Sequence, residues 1–347
     1  MKKKKKKRLT KFDTYARLFF ILVLCALSVF LGKVCWNAMN PAPTEDADLR
    51  PAAVKAGYFH SLVKIKDVSA DRLERYNAYY RAGYGLSMEE AVEFVNWDVD
   101  ILCPKGPDER VLELSQDKFF VGKNLSRYLA LYDGNSQNVR AVVEKVNACR
   151  DNTAYEDIEP TDLSKGIMVL VNKYHYLDSS YIPDDLVNAA SQYCQYSSAK
   201  LSRPAYEAFV KMATDAKAAG YTIKINSGYR SYSKQRGMYN NYVAGHGKAE
   251  ADTFSARPGF SEHQTGLAID LSSPGVGYWS FGDSAAGRWV HANAHKYGFI
   301  LRYLEDKTDI TGYIYECMHF RYVGVDAATF IYENGIAYED YYEKYVK

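Results

Sequence analysis

An uncharged, apolar stretch near the start of the chain constrains the fold most, because it predicts a membrane-spanning helix, and the rest of the chain must then fold on one side of the membrane. The stretch covers residues 18–32, and its flanks extend it towards the roughly 20 residues that a spanning helix needs. A run of lysines precedes it, so the positive-inside rule places the N-terminus in the cytoplasm and the bulk of the chain outside. We predict a basic tail over residues 1–16, a transmembrane signal anchor over 17–36 and a linker over 37–50. A cleaved signal peptide is the alternative interpretation.

The charge balance argues against nucleic acid as a partner. The 347 residues carry a formal net charge of +2, but ten of the 44 basic residues precede residue 40, where Asp13 is the one acidic residue. The remainder has 34 basic and 41 acidic residues, a net charge of about −7. Phosphate binding depends on clustered Lys and Arg, so we expect no nucleic-acid partner for this acidic body.

Residues 51–160 contain two similar segments, about 50 residues apart. Each has an aromatic-rich helical stretch, a glycine turn, a serine N-cap (Ser87 or Ser136) and an amphipathic helix that ends in Val-Asn. The repeat predicts a small helical domain made of two helix–turn–helix units. No catalytic motif occurs in it, and we expect its tyrosines to pack in the interior.

Residues 161–347 have a mixed pattern that predicts an α+β domain. Helical spacing covers residues 183–196, 204–219, 231–244 and 285–297. Strand-like patterns cover residues 166–171, 221–226, 266–271 and 313–323. Because no regular βαβ repeat links them, we predict a small antiparallel sheet with flanking helices.

One strand-like segment of this half pairs a histidine with an acid. If Leu267 and Ile269 face the core, Asp270 points to the opposite face of the strand. His263 lies on the loop that leads into this strand. An imidazole and a carboxylate on one face form a suitable pair of zinc ligands.

A second cluster follows about fifty residues later, at Glu316 and His319. His319 completes a set of two histidines and one aspartate, which leaves one position open for water, as a catalytic zinc site requires. Glu316 is then the natural general base that takes a proton from that water. A spacing of three residues places the two side chains on opposite faces of a regular strand, so we expect a bend or a strand end between them.

A third cluster, Ser227–Gln235, places an arginine after a glycine turn. The turn follows a predicted strand and presents Arg230 at an edge. A cation held there can stabilise an oxyanion or bind a carboxylate.

Together these clusters resemble the VanY-type D-alanyl-D-alanine carboxypeptidases, a group of zinc peptidases, over about residues 165–330. The shared elements are S-x-H-x-x-G-x-A-x-D from Ser261 to Asp270, S-G-Y-R-S from Ser227 to Ser231, and E-x-x-H-F-R-Y-V-G from Glu316 to Gly324. The resemblance implies that the zinc (Zn2+) ligands are His263, Asp270 and His319. The implied catalytic residues are Glu316 as base and Arg230 as oxyanion partner. The implied substrate-binding residues are Ser261, Gln235 and Tyr229.

This resemblance implies a zinc carboxypeptidase that removes the terminal D-Ala of peptidoglycan stem peptides, and the predicted signal anchor makes it membrane-anchored and extracytoplasmic. An L,D-carboxypeptidase or an endopeptidase acting on the same stems uses the same chemistry. A non-catalytic cell-wall-binding protein is an alternative from a different class. For the helical domain, we expect a partner in the wall or another protein.

The chain departs from the resembled pattern at one place, Cys317–Met318, where such proteins usually have Pro-Trp. Loss of the proline loosens the turn that aims Glu316, and loss of the tryptophan reshapes a pocket wall. We expect the Cys317 thiol to point away from the metal. With Cys103, Cys149 and Cys194 it allows three full disulfide pairings, and free buried thiols are an equally good interpretation.

Overall fold

The structure is a computed structural model, and it describes residues 65–134, 138–196 and 198–347. The predicted tail, anchor and linker lie outside these ranges. Within the described ranges, no helix is both long and apolar enough to cross a membrane. The chain divides into two compact units, Met1–Val95 and Asn96–Lys347.

The described α-helices and β-strands are numbered here in chain order. The helices are α1 (Leu73–Arg81), α2 (Met88–Asn96), α3 (Val99–Leu102), α4 (Glu109–Ser115), α5 (Leu125–Leu131), α6 (Val139–Asn147), α7 (Arg203–Ala218), α8 (Tyr232–His246), α9 (Lys248–Phe254), α10 (Ala285–Asn293), α11 (Thr308–Thr311), α12 (Val325–Asn334) and α13 (Tyr338–Tyr345). The strands are β1 (Glu159–Pro160), β2 (His175–Tyr176), β3 (Leu186–Asn188), β4 (Lys200–Ser202), β5 (Lys224–Ser227), β6 (Ala268–Ser272), β7 (Phe299–Leu301) and β8 (His319–Tyr322).

The two similar segments of the sequence each form two helices, α1 and α2 in one case and α5 and α6 in the other. Ser87 caps α2 as predicted: its hydroxyl accepts from the Glu90 N–H at 3.2 Å, and the Glu90 carboxylate accepts from the Ser87 N–H at 2.7 Å. This reciprocal pair satisfies two N–H groups that the helix itself leaves free. In the second segment the cap is Asn138, whose side chain accepts from the Arg140 N–H; Ser136 lies outside the described residues.

The predicted domain boundary at residue 160 does not coincide with the division between the compact units, because helices α3–α6 belong to the same unit as the sheet. The physical reason is a set of polar contacts to the C-terminal helix α13. Asp340 of that helix is fully buried and accepts from Arg140 at 2.7 Å and from Asn147 at 3.1 Å. Charge-assisted hydrogen bonds to a buried carboxylate are costly to break, so these contacts hold α6 and α13 together.

A four-stranded antiparallel sheet organises the second unit. Its strands neighbour one another in the order β5, β6, β8, β7. A parallel pair (β1, β2) and an antiparallel pair (β3, β4) accompany it. The predicted α+β class, with a small antiparallel sheet and flanking helices, is confirmed.

The sheet has one apolar face and one polar face. Ile269 of β6 and Phe320 of β8 are fully buried in the core that α7 and α10 cover. On the opposite face Asp270 lies directly across from His319. The alternation predicted for β6 is therefore confirmed, and it places two potential metal ligands side by side.

Two predicted elements are wrong. Residues 166–171 do not form a strand, because Gly166 has a φ of 56° and the carbonyls of Ile167 and Val169 accept from the Arg321 guanidinium at 2.9 and 2.8 Å instead of from a neighbouring strand. Residues 183–196 do not form a helix, because Leu186–Asn188 pairs with Lys200–Ser202. In both cases a partner outside the segment overrides the local pattern.

Candidate active site

The polar face of the sheet brings the three predicted zinc ligands together. His263 lies in a 3-10 turn before β6, Asp270 lies within β6, and His319 begins β8. One ligand atom from each lies within 4.8 Å of the other two. An Asp270 oxygen is 3.3 Å from His263 Nε2, and the other is 3.0 Å from His319 Nδ1. All three residues are buried.

Each histidine also has an acceptor at the ring nitrogen that faces away from Asp270. His263 Nδ1 donates to the Gly228 carbonyl at 2.8 Å, which leaves the Nε2 lone pair directed at Asp270. His319 Nε2 faces the Glu262 carboxylate at 3.4 Å, which leaves Nδ1 directed at Asp270. A metal-binding histidine donates its second N–H in this way. Two imidazoles and one carboxylate at these separations fit a tetrahedral zinc ion with one open position.

The charges of the three residues are strongly coupled. Burial lowers the pKa of His263, and Arg230 lowers it further, so this ring is neutral and ready to bind a cation. Burial also lowers the pKa of His319, but the Asp270 and Glu262 carboxylates outweigh that effect and raise it to about 9. Burial raises the pKa of Asp270, but the two facing histidines hold it well below its usual range. Zinc binding must therefore displace a proton from His319.

Glu316 lies beside the same cluster, with its carboxylate 3.8 Å from His319 Nδ1. Residues 317–318 form a turn, so the chain bends before β8 begins, and the predicted bend is confirmed. Burial raises the pKa of Glu316 to about 7, against the opposing effect of His319. A carboxyl group with a pKa near neutrality can both accept and return a proton.

Arg230 is held in place by several hydrogen bonds. Its guanidinium donates to Gln235 at 2.7 Å and to the Ser227 hydroxyl at 3.1 Å. Gln235 in turn donates to the Ala256 carbonyl at 2.7 Å. The backbone N–H of Arg230 donates to the His263 carbonyl at 3.0 Å. Gln235, predicted as a substrate contact, therefore also orients Arg230.

The ligands, Glu316 and Arg230 line one cavity of about 390 Å³. Ser261 lines it as well, as predicted. Tyr229 does not, because its N–H is fixed to the Lys200 carbonyl at 2.7 Å in a turn that directs the next side chain, Arg230, into the cavity. A substrate contact at Tyr229 stays a prediction.

Seven aromatic residues that the sequence reasoning missed also line this cavity: Tyr196, Tyr242, Phe254, Tyr278, Trp279, Tyr303 and Tyr313. Tyr303 stacks at a tilt beside His319, with ring centroids 5.0 Å apart. Burial, with Asp270 and Glu316 nearby, raises the pKa of Tyr278, so its hydroxyl keeps its proton. Tyr196 and Trp279 are 70% and 56% exposed, which places them at the mouth. The chain has 31 tyrosines, so no sequence signal distinguished the aromatic residues that line the cavity from those that do not.

The Cys317–Met318 pair is held by two hydrogen bonds and by burial in the core. The Cys317 thiol donates to the Trp279 carbonyl at 3.3 Å, so it is engaged away from the metal ligands, as expected. The Cys317 carbonyl accepts from His291 at 2.8 Å, and Met318 is fully buried in the core. The four cysteines of the described residues are free thiols.

Glu262 is the most informative residue that the sequence reasoning missed. Its side chain is fully buried and accepts from Arg302 at 2.8 Å and from Arg321 at 3.2 Å. Burial raises the pKa of Glu262, but the two guanidiniums outweigh it and lower the pKa below the usual range. The available sequence signal was its position, a charged residue between Ser261 and the metal ligand His263. The sequence did not indicate its role, because its two arginine partners are 40 and 59 residues away.

Comparison with known proteins places these features in a family. Residues 198–325 match the family described as VanY: D-alanyl-D-alanine carboxypeptidase. The Bacillus subtilis (strain 168) protein YodJ, named as a carboxypeptidase, is 39% identical over 61% of this chain and 80% of its own length. The Enterococcus gallinarum protein VanXYC, a bifunctional D-Ala-D-Ala dipeptidase and D-Ala-D-Ala carboxypeptidase, is 36% identical over 50% of this chain and 92% of its own length. The solved structure of the LdcB LD-carboxypeptidase is 40% identical, with a TM-score of 0.50, and covers 55% of this chain and 92% of LdcB.

Proposed function

The chain belongs to the VanY family of D-alanyl-D-alanine carboxypeptidases and is a zinc-dependent peptidase, and on this premise we propose that it removes the terminal D-Ala from peptidoglycan stem peptides while anchored to the outer face of the cell membrane. One observation supports this proposal above all others. His263, Asp270 and His319 converge within 4.8 Å on the cavity that Glu316 and Arg230 also line.

In this proposal zinc, when bound by the two histidines and Asp270, supplies Lewis acidity and makes water a better nucleophile. Glu316 takes a proton from the attacking water as the new C–O bond forms. Arg230 donates to the carbonyl oxygen while that oxygen becomes negative. The C–N bond then breaks, and Glu316 returns the proton to the amine of the departing D-Ala, which leaves the stem one residue shorter.

The stereochemistry of the scissile bond is the finer part of the proposal. We favour the D-Ala-D-Ala bond, because the matched family and VanXYC are both described by that activity. An L,D-carboxypeptidase that acts on tetrapeptide stems is the second candidate, since LdcB is 40% identical over 92% of its length.

A single experiment separates the two. Full-length protein is purified in detergent, loaded with zinc, and incubated with pentapeptide and tetrapeptide muropeptides, with an E316Q variant as the control. We expect mass spectrometry to show loss of one alanine from the pentapeptide and an unchanged tetrapeptide. Shortening of the tetrapeptide alone would identify an L,D-carboxypeptidase. If zinc-loaded protein left both stems intact, the non-catalytic wall-binding alternative would replace the enzymatic one.

The extracytoplasmic location depends on residues 17–36, which lie outside the described residues. The support for it is the uncharged stretch behind a lysine run. Protease added to intact spheroplasts should digest the body of the protein but not a cytoplasmic control protein. Protection of the body from that protease would overturn the location, and recovery of the N-terminal tail with the membrane would distinguish an anchor from a cleaved signal peptide.

A further inference from the structure

A fully buried network of charges lies beside His319, at the ring nitrogen opposite the one that faces Asp270. Its central residue is Glu262, whose side chain has no exposed area. One carboxylate oxygen faces His319 Nε2 at 3.4 Å, and the other accepts from Arg302 at 2.8 Å and from Arg321 at 3.2 Å. Glu262 thus links the ring of a metal ligand to two arginines.

The network extends from there to the C-terminal helix α13. Arg302 donates to both oxygens of Glu339, at 3.0 and 2.6 Å, and Arg302 and Glu339 are each 1% exposed. Two arginines and two glutamates balance one another's charge. A buried charge requires such partners, because an unpaired one costs far more than it contributes.

This arrangement determines which nitrogen of His319 carries the proton. A neutral imidazole has one N–H, and a carboxylate that faces one nitrogen selects the tautomer that donates to it. Glu262 faces Nε2, so Nε2 keeps the hydrogen. The lone pair is then on Nδ1, the nitrogen 3.0 Å from Asp270, where the ligand atoms of the metal site meet.

We propose that Glu262 is a positioning residue that fixes the Nε2–H tautomer of His319, and that Glu339 supports it through Arg302, so that zinc affinity depends on the C-terminal helix. This inference rests on the proposed function only in requiring that zinc is the bound metal. Glu339 lies beyond the segment 198–325 that matches the family, so this support is a property of a wider part of the chain.

The direct test is spectroscopic and needs no substitution in the network. In zinc-loaded, full-length protein labelled with 15N-histidine, the ring nitrogens of His319 are assigned by their disappearance in a H319Q variant. We expect the Nε2 signal to be that of a protonated nitrogen and the Nδ1 signal that of a metal-bound one. A protonated Nδ1 would overturn the proposal.

Zinc affinity, measured by competition with a chromophoric chelator, tests the role of each glutamate without using peptidase activity. For E262Q we expect a loss of affinity of roughly 10–100-fold, the range typical for residues that support a metal ligand. For E339Q we expect a smaller loss in the same direction, since it acts through Arg302. An E262Q protein that is folded by circular dichroism and binds zinc as tightly as the parent would contradict the proposal.

Glu343 provides a matched control on the same helix. It is also buried, but it accepts from Asn124 at 3.0 Å and pairs with Lys347 and Lys123, each at 3.3 Å, and none of these three contacts involves Arg302. We expect E343Q to lower the thermal stability of the metal-free protein about as much as E339Q while leaving zinc affinity unchanged. If E343Q weakened zinc binding as much as E339Q, the effect would belong to helix docking, and the assigned role of Glu339 would be wrong.

These outcomes are separable from failure of the proposed function. Tautomer and zinc affinity are measured without a peptide, so an inactive protein with the expected values would leave this inference standing. Conversely, an active parent enzyme whose E262Q variant binds zinc normally would remove this inference alone.

Discussion

Glu316 and Glu262 face different nitrogens of the same imidazole ring. Glu316 lies 3.8 Å from His319 Nδ1 with 13% of its side chain exposed, and Glu262 lies 3.4 Å from Nε2 with none of its side chain exposed. Burial raises the pKa of both carboxyl groups. At Glu316 it prevails and raises the pKa to about 7, whereas at Glu262 the guanidiniums of Arg302 and Arg321 reverse it.

The difference shows how two side chains of the same type acquire different functions in one site. A carboxyl group that is buried without a hydrogen-bonded arginine titrates near neutrality and can exchange protons. A carboxyl group that is buried between two arginines stays ionised and serves as a fixed acceptor. We therefore expect substitution of Glu316 to lower turnover and substitution of Glu262 to lower metal affinity.

Removing the shared partner should have the largest effect. His319→Ala deletes a zinc ligand and the group between the two glutamates, so we expect loss of both bound zinc and D-Ala release, a larger defect than the roughly 10–100-fold typical of a supporting residue. Metal analysis of the dialysed protein and a muropeptide assay measure the two losses. A variant that kept stoichiometric zinc and full turnover would refute the metal site described here.

Glu316→Gln should distinguish the roles of Glu316 and Glu262 most clearly. We expect kcat to fall by roughly 10²–10⁴-fold, the usual contribution of a general base, while the zinc affinity stays close to that of the parent. Glu262→Gln is the matched variant on the other side of the ring, with the opposite expected pattern. If both variants lost metal to the same degree and neither lost turnover of the loaded enzyme, the contrast between the two glutamates would not hold.

Arg230→Ala tests the arginine that lines the cavity. The Arg230 guanidinium has five N–H donors, and its hydrogen bonds to Gln235 and Ser227 use two of them. The Asp270 carboxylate lies 3.6 Å away, so donors remain for a developing oxyanion. We expect kcat to fall by roughly 10²–10³-fold, as for loss of one oxyanion donor. Arg236→Ala, at an exposed position on helix α8, which begins two residues after Arg230, is the control and should retain full activity. Equal activity of both variants would remove Arg230 from the mechanism.

The pH profile of activity should show the titration of Glu316 but not that of Glu262. Glu316 acts as a base only when ionised, so activity is lost as the pH falls through its pKa. That pKa is about 7 in the metal-free protein, and a bound dication stabilises the ionised form, which moves the midpoint to 7 or below. We expect kcat/KM to fall about tenfold per pH unit below the midpoint. An acid limb that persisted unchanged in E316Q would assign it to another group.

The zinc ligands were within reach of sequence reasoning because local rules determine their placement. The alternation of apolar residues around Ile269 predicts the face on which Asp270 lies, and the structure has that register. Glu316 and His319 required a bend, and the turn at residues 317–318 provides it. In both places the determining interactions lie within a few residues of the site.

The supporting network could not be predicted in the same way, because its partners are joined only by the fold. Arg302 lies 40 residues from Glu262 and 37 from Glu339. The failed strand at residues 166–171 has the same origin: Arg321, more than 150 residues away, takes the carbonyls that a neighbouring strand would otherwise bind. The contact between α6 and α13 is of the same kind, since Arg140 donates to Asp340, 200 residues away.

Two backbone carbonyls join the turn at residues 228–230 to the first zinc ligand. The Gly228 carbonyl holds the His263 ring, and the His263 carbonyl holds the Arg230 N–H, so the bonds run in both directions between the same two segments. A shift of either segment would carry the other with it. The placement of the His263 ring relative to the Arg230 backbone is thereby held by main-chain groups of both segments, independently of the side chains at the cavity mouth.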